Sequence, residues 1–197
     1  RMKDAVLPRY PEALIDIKNI PGLDFLKEEK GVLRIGALTR LEDIGKEPII
    51  REKYKALAQA AGRTASPHLR EMGTLGGNLC QDIRCWYYRN PLFDCWLKGG
   101  ETCFAVRGEN KFHAIVGRGF CQAVHPSDLA PALVALKAIV EIARPAGKKE
   151  IPLEELYAKP TKDHRYMTIL RPGELIRGIR IPAPSSTSRS LYLKAME

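Results

Sequence analysis

All five cysteines of this 197-residue chain fall between positions 80 and 121. Five is an odd number and no signal-peptide pattern is read ahead of them, so a closed disulfide framework is a poor account. A reducing compartment, the cytoplasm, is expected. Cys85, Cys95, Cys103 and Cys121 follow C-x9-C-x7-C-x17-C, with Cys80 ahead of them. Structural zinc ligands usually come in close C-x-x-C-type pairs, and no such pair exists here. Iron–sulfur clusters accept wider spacing, because four thiolates must reach a larger object. Buried, unligated cysteines acting as small core hydrophobes are the plainer alternative, weakened by the crowding of five into one stretch. The same stretch carries Trp86, Tyr87, Tyr88, Phe93, Trp96 and Phe104. These rings either wall a cluster off from water or form an ordinary apolar mini-core.

The surrounding chain reads as one sizeable globular domain, with 45% hydrophobic and 28% charged residues. No apolar run approaches a membrane span. The net charge of +9 raises the question of nucleic acid, but basic residues alternate with acids, as in Lys27-Glu28-Glu29-Lys30, and no aromatic–basic signature accompanies them. A solvated surface, with contacts to an anionic cofactor or an acidic partner, accounts for the charge, and nucleic-acid binding is not expected.

Taken in order, residues 1–26 carry Pro8, Pro11 and Pro21, with Ala13–Ile17 predicted as a short strand. Gly31–Ala37 is a second strand, and Thr39-Arg40-Leu41-Glu42 has the capping-box pattern of a helix start. A longer helix follows with Ile50, Tyr54, Leu57, Ala58 and Ala61 on one face and Gly62 at its C-terminal cap. Phe112–Val116 reads as a strand. Ser127 or Asp128 caps a helix through Lys137, with Pro131 in its tolerant first turn. Ile139–Ala143 and Lys149–Leu153 flank Pro145-Ala146-Gly147 as a hairpin, and a short helix covers Leu153–Tyr157. Arg171-Pro172-Gly173-Glu174 fits a type II turn leading into a strand over Leu175–Ile181. Pro182–Ser190 is a loop, and Leu191–Lys194 begins a further strand. The class is α+β, a largely antiparallel sheet with helices on one side.

Gly73-Thr74-Leu75-Gly76-Gly77-Asn78 reads as a loop where backbone approaches a ligand closely, although such glycine pairs are often plain turns. His68, His113, His125 and His164 show no metal spacing and are read as structural. Neither a Ser/His/Asp set nor paired carboxylates emerge from spacing.

The stretch Ser66–Asn78, with its Gly-Thr-Leu-Gly-Gly-Asn core, resembles the second FAD loop of the flavin-binding medium subunits of molybdenum hydroxylases, the xanthine dehydrogenase family. Arg34–Thr39, His125–Asp128, Leu170–Ile176 and Tyr192–Lys194 match further segments of that family in the same order. Arg84–Arg89 with Cys95, Cys103 and Cys121 is similar to the subset with an extra [4Fe-4S] cluster, which includes 4-hydroxybenzoyl-CoA reductase, in its beta subunit, and certain bacterial aldehyde oxidoreductases.

The resemblance implies an FAD-binding domain of the molybdopterin dehydrogenase type and an electron-transfer flavoprotein subunit of a molybdenum-containing oxidoreductase. Its partners would be a large subunit with the molybdenum cofactor, where catalysis takes place, a small subunit with [2Fe-2S] clusters, and a ferredoxin-like external carrier. Thr74, Leu75, Gly76, Gly77 and Asn78 would line the FAD pyrophosphate with backbone N–H groups. Thr64 would lie near the cofactor, Asp128 would bond its ribose or adenine side, Ile176 would pack by the dinucleotide, and Lys194 would lie near the flavin. Cys85, Cys95, Cys103 and Cys121 would hold the [4Fe-4S] cluster and Cys80 would not. Residues 1–182 would form the second lobe of the FAD-binding domain, with 79–121 as the cluster insert, and 183–197 would be a linker into a C-terminal domain. The family's first lobe, with its own glycine-rich phosphate loop, has no counterpart upstream of Gly22. The competing reading is a non-redox binding module whose cysteine-rich loop holds structural zinc or a cluster for subunit contact.

Overall fold

The computed structural model describes residues 13–116 and 119–195. Pro8 and Pro11 lie outside the described residues. The chain divides into two compact units. One comprises Lys18–Gln81, Ser127–Leu156 and the segment from Leu170 onward; the other comprises Asp82–Pro126 and Tyr157–Ile169, with the described residues up to Ile17.

In chain order the first unit holds β1 (Leu26–Glu29), β2 (Val32–Gly36), α1 (Leu41–Lys46), α2 (Pro48–Lys53), α3 (Lys55–Gly62), α4 (Pro67–Met72) and α5 (Leu75–Leu79). The second unit contributes α6 (Trp86–Arg89), and the first resumes with α7 (Leu129–Ala135), β3 (Ile139–Arg144), β4 (Gly147–Pro152) and β5 (Leu175–Pro182). The five strands form one antiparallel sheet in the order β1-β2-β5-β3-β4. The α+β class and antiparallel sheet expected from the sequence are therefore present. No helix among the described residues is long and apolar enough to cross a membrane.

Alternation along the strands sets the sheet's two faces. Leu33, Ile35, Val140, Ile142, Ile179 and Ile181 are all fully buried, and side chains two apart on a strand share a face. Gly36 and Gly178 sit opposite each other in the β2–β5 register. A Cβ on Gly178 would lie 2.5 Å from the Ile35 carbonyl oxygen, and one on Gly36 would overlap the Leu23 carbonyl. Backbone fills that space: Gly36 N–H donates to Phe25 O at 2.7 Å and Leu38 N–H to Leu23 O at 2.8 Å.

On the opposite face from Val140, Glu141 is a buried carboxylate, 4% exposed. Arg34 from β2 donates to it at 2.9 Å, and Arg177 and Arg180 from β5 approach at 3.4 and 3.6 Å. The strand register shifts between Glu141 and Ile142, an irregularity that re-aims side chains.

Several sequence expectations hold. Arg171–Glu174 is a turn closed by Glu174 N–H to Arg171 O at 3.0 Å, with Gly173 at φ +82°. The 139–152 hairpin forms, and a 3-10 turn covers Leu153–Leu156. Others do not hold. Residues 13–17, Phe112–Val116 and Leu191–Lys194 form no strand. The capping box is not made, because the Thr39 hydroxyl donates to Phe25 O and Glu42 instead pairs with Arg70 and Lys46. The single long helix is two, broken at Tyr54, whose backbone (φ −125°, ψ 52°) leaves the helical region while its ring stays buried. β1 was not anticipated, since its Leu-Lys-Glu-Glu sequence reads as charged surface.

In the second unit, Tyr157 bridges Thr168 and Cys95 bridges Thr102, Ala158 N–H donates to Met167 O, and α6 is joined by short 3-10 turns. Aromatic rings supply its packing: Tyr87 lies 5.0 Å edge-on to Phe93, which meets Phe104 at 5.2 Å, and Trp96 stacks on Phe120 at 4.7 Å.

Removing the Glu141 carboxylate leaves three guanidinium groups facing one another without their counter-charge. Breaking a fully buried pair costs about 3–5 kcal/mol; the arginines here remain about 30% exposed, so we expect Glu141→Ala to cost roughly 2 kcal/mol. Urea unfolding measures this, and an unchanged midpoint would show that the cluster contributes nothing.

Candidate functional site

The Thr74–Asn78 segment is not an open loop but one short helical turn. Thr74 is its N-cap, with Oγ1 accepting weakly from Gly77 N–H at 3.3 Å. Leu75, Asn78 and Leu79 point inward and are buried, while Gly77 is exposed. This alternation follows from the helical period, with positions three and four apart sharing the inner face.

The inner face is fixed by one side chain. Asn78 Oδ1 accepts from the Ser127 hydroxyl at 2.6 Å and from Leu129 N–H at 3.3 Å, and Ser127 Oγ in turn accepts from Ala130 N–H at 3.0 Å. Ser127 is thus the side-chain cap of α7, and Asp128, at the N-cap position, makes no side-chain cap bond. The Asp128 carboxylate is held elsewhere, accepting from Lys194 Nζ at 2.8 Å and from the Tyr192 hydroxyl at 3.1 Å. Burial, and then the Asp128 charge, push the Tyr192 hydroxyl up to about 12. The strand expected at Leu191–Lys194 is replaced by an extended segment along α3: Tyr192 N–H donates to Gln59, Arg63 donates to Tyr192 O, and the Tyr192 ring packs on Ala56, Ala60 and Ala132.

Of the residues expected to meet a dinucleotide, Asp128 and Lys194 are brought together, and Asn78 is tied to the residue preceding Asp128. Of the five N–H groups of Thr74–Asn78, three are engaged within the fold: Leu75 and Gly76 donate to Thr39 O at 2.9 Å and Ala37 O at 2.8 Å, and Asn78 donates to Thr74 O. That leaves the N–H groups of Thr74 and Gly77, the latter bonded weakly to the Thr74 hydroxyl. Gly76 has a packing reason to lack a side chain, since a Cβ would sit 3.0 Å from Ala37 Cβ and 3.1 Å from its carbonyl oxygen. Thr64 is 4% exposed and its hydroxyl proton is committed to Ala60 O at 2.7 Å, leaving the oxygen as an acceptor. Ile176 is a buried residue of β5 facing Ile142.

The second unit contains a different arrangement. Cys85, Cys95, Cys103 and Cys121 line one tight cavity of about 10 Å³, together with Tyr87, Tyr88, Trp96, Phe104, His113 and Phe120 among others. All five cysteines are free thiols. Cys80 is exposed at the end of α5 in the first unit and does not line this cavity.

Three of the four cysteines stand immediately before a helical turn: Cys85 before α6, Cys95 before Trp96–Lys98, and Cys103 before Phe104–Val106. A residue in that position has free backbone N–H groups just ahead of it. The backbone of Tyr87 and Tyr88 beside Cys85, and of Ala123 beside Cys121, draws these thiols downward. Burial nevertheless dominates, raising both thiols, Cys121 to about 11 with the other three cysteines adding to the shift. Such thiols stay neutral at pH 7 unless a cation holds them as thiolates.

No three His, Cys, Asp or Glu side chains among the described residues converge as a single-ion site. A cluster makes no such demand, because each thiolate meets a different iron. The donor set, four thiols among apolar and aromatic side chains, is of the kind an iron–sulfur cluster takes, and of the rings singled out in the sequence Tyr87, Tyr88, Trp96 and Phe104 line the same cavity. His113, read from sequence as structural, lies in this cavity with Nε2 3.2 Å from Cys85 Sγ. Its one sequence signal was position, between Cys103 and Cys121.

Residues 3–184 match the model of the FAD binding domain in molybdopterin dehydrogenase. The chain is 39% identical over 191 residues to the aldehyde oxidoreductase FAD-binding subunit PaoB of Escherichia coli (strain K12), covering 95% of this chain and 59% of that one. It is 28% identical to the carbon monoxide dehydrogenase medium chain of Hydrogenophaga pseudoflava, covering 88% of this chain and 44% of the other. A solved structure of carbon monoxide dehydrogenase from that organism superimposes with a TM-score of 0.61 at 25% identity, over 90% of this chain and 46% of the other. The chain therefore spans about half the length of these relatives. With the antiparallel sheet, the Thr74–Asn78 turn and the family match in agreement, the chain belongs to the family of FAD-binding domains in molybdopterin dehydrogenases.

Proposed function

We propose that the chain is the flavin-binding part of an electron-transfer subunit of a molybdenum-containing oxidoreductase, and that Cys85, Cys95, Cys103 and Cys121 hold a [4Fe-4S] cluster. The observation that carries the cluster is the convergence of four free cysteines on one apolar cavity. When bound, FAD exchanges electrons one or two at a time and a [4Fe-4S] cluster one at a time, which suits a relay. The roles of the relatives, an aldehyde oxidoreductase FAD-binding subunit and a carbon monoxide dehydrogenase medium chain, support this reading. A molybdenum-cofactor large subunit, a small subunit with [2Fe-2S] clusters and a ferredoxin-like carrier complete the proposed path, in a reducing compartment such as the cytoplasm.

Within the chain, the Thr74 hydroxyl, and Gly77 N–H on releasing its weak bond to Thr74 Oγ1, offer donors to the FAD pyrophosphate, and Asp128, oriented by Lys194 and Tyr192, accepts from cofactor hydroxyls. Gly77 has helical backbone, and a Cβ there would meet only Thr74 Oγ1, at 3.2 Å. We therefore expect Gly77→Val in the native complex to fold normally yet lose most of its flavin, measured as FAD per chain after gel filtration; full flavin occupancy would sink this placement. Ser127→Ala and Asp128→Asn should divide the two roles. The first loses the α7 cap and should cost about 0.5–2 kcal/mol of stability. The second should weaken FAD binding with little change in unfolding midpoint, and the reverse pattern would assign Asp128 to folding alone.

For the cluster, anaerobically purified protein should be brown and carry about four iron atoms at this site. Changing Cys85, Cys95, Cys103 or Cys121 singly to Ser should each remove that iron, while Cys80→Ser should not. Zinc in place of iron, or iron lost only in Cys80→Ser, would reject the assignment.

A further inference from the structure

We propose that His113 is a positioning residue for the cluster, donating an Nε2–H hydrogen bond to the Cys85 sulfur and so raising the cluster's reduction potential. This rests on the [4Fe-4S] reading above. His113 is 8% exposed, and its Nε2 lies 3.2 Å from Cys85 Sγ. The ring has little freedom to turn away. Trp86 packs edge-on to it at 5.1 Å and Tyr87 lies at 6.2 Å, while the backbone is anchored by His113 N–H to Asn110 O at 2.9 Å. Asn110 is itself fixed by its side-chain N–H to Ala105 O at 3.1 Å.

The tautomer follows from the partners. Nδ1 is buried with no hydrogen-bond partner among the described residues, so nothing there holds a proton. The sulfur at Nε2 is the acceptor within reach, and which ring nitrogen carries hydrogen is set by the bonds each makes. A thiolate bound to iron has no proton of its own, which leaves the imidazole as donor. An N–H directed at a ligating sulfur withdraws negative charge from it. Because reduction adds an electron to the cluster, that donor favours the reduced form and moves the potential upward.

The test compares His113→Leu and His113→Gln with the unaltered native complex under anaerobic conditions, reading iron per chain and the cluster's reduction potential by EPR-monitored titration. The expected result is full iron in both variants, a potential shifted to more negative values in His113→Leu, and a potential near the unaltered one in His113→Gln, whose amide N–H reaches a similar position. An unmoved potential in fully loaded His113→Leu overturns the proposal. Loss of cluster iron in both variants also overturns it, because the histidine would then be needed for assembly or ligation. Absence of a cluster from the unaltered complex would instead reject the [4Fe-4S] reading itself, and this inference with it.

Discussion

The sheet of the first unit depends on its last strand. β2 and β3 do not pair with each other; each pairs with β5, which arrives after residue 174 and completes the centre of the sheet. Until then the β1–β2 hairpin and the β3–β4 hairpin are separate local structures, and two-stranded hairpins alone are marginal in water. Glu141 reinforces the same junction, since its carboxylate gathers arginines from β2 and from β5. Long-range pairing of this kind makes folding slow relative to a helical bundle, because loop closure precedes the contacts that reward it.

The two proposed cofactor regions use backbone in similar ways. In the first unit, a single helical turn directs Leu75, Asn78 and Leu79 inward and leaves Gly77 facing out. In the second, short turns begin just after Cys85, Cys95 and Cys103 and fix where those cysteines stand. Neither arrangement needs a long regular element. Each needs a fixed one, and aromatic packing around Tyr87, Phe93 and Phe104 provides that rigidity for the cysteines.

Local chemistry was legible in the sequence and long-range partnership was not. The turn at Arg171–Glu174 and the hairpin around Pro145-Ala146 are encoded by residues that restrict their own φ, and both form. The capping box at Thr39 failed because a carbonyl fourteen residues away, on Phe25, claims the hydroxyl. Phe112–Val116 has strand-like composition but finds no partner edge among the described residues. The cysteine set could be named from the resemblance, yet the imidazole beside Cys85 could not, since 28 residues separate the two. Likewise nothing in the glycine-rich segment indicates that Asn78 closes onto Ser127.

That closure bears on how the chain tolerates change. Asn78 and Ser127 touch at 2.6 Å although 49 positions apart, and between them the chain leaves the first unit at Gln81 and re-enters it at Ser127. The entropy of closing a flexible loop grows only logarithmically, by about 0.6 kcal/mol for each doubling of length. Segments of very different size could therefore be exchanged at this junction while the sheet and the α5–α7 contact stay as they are. The junction is a natural graft point, where the 82–126 segment can change length without rebuilding the sheet.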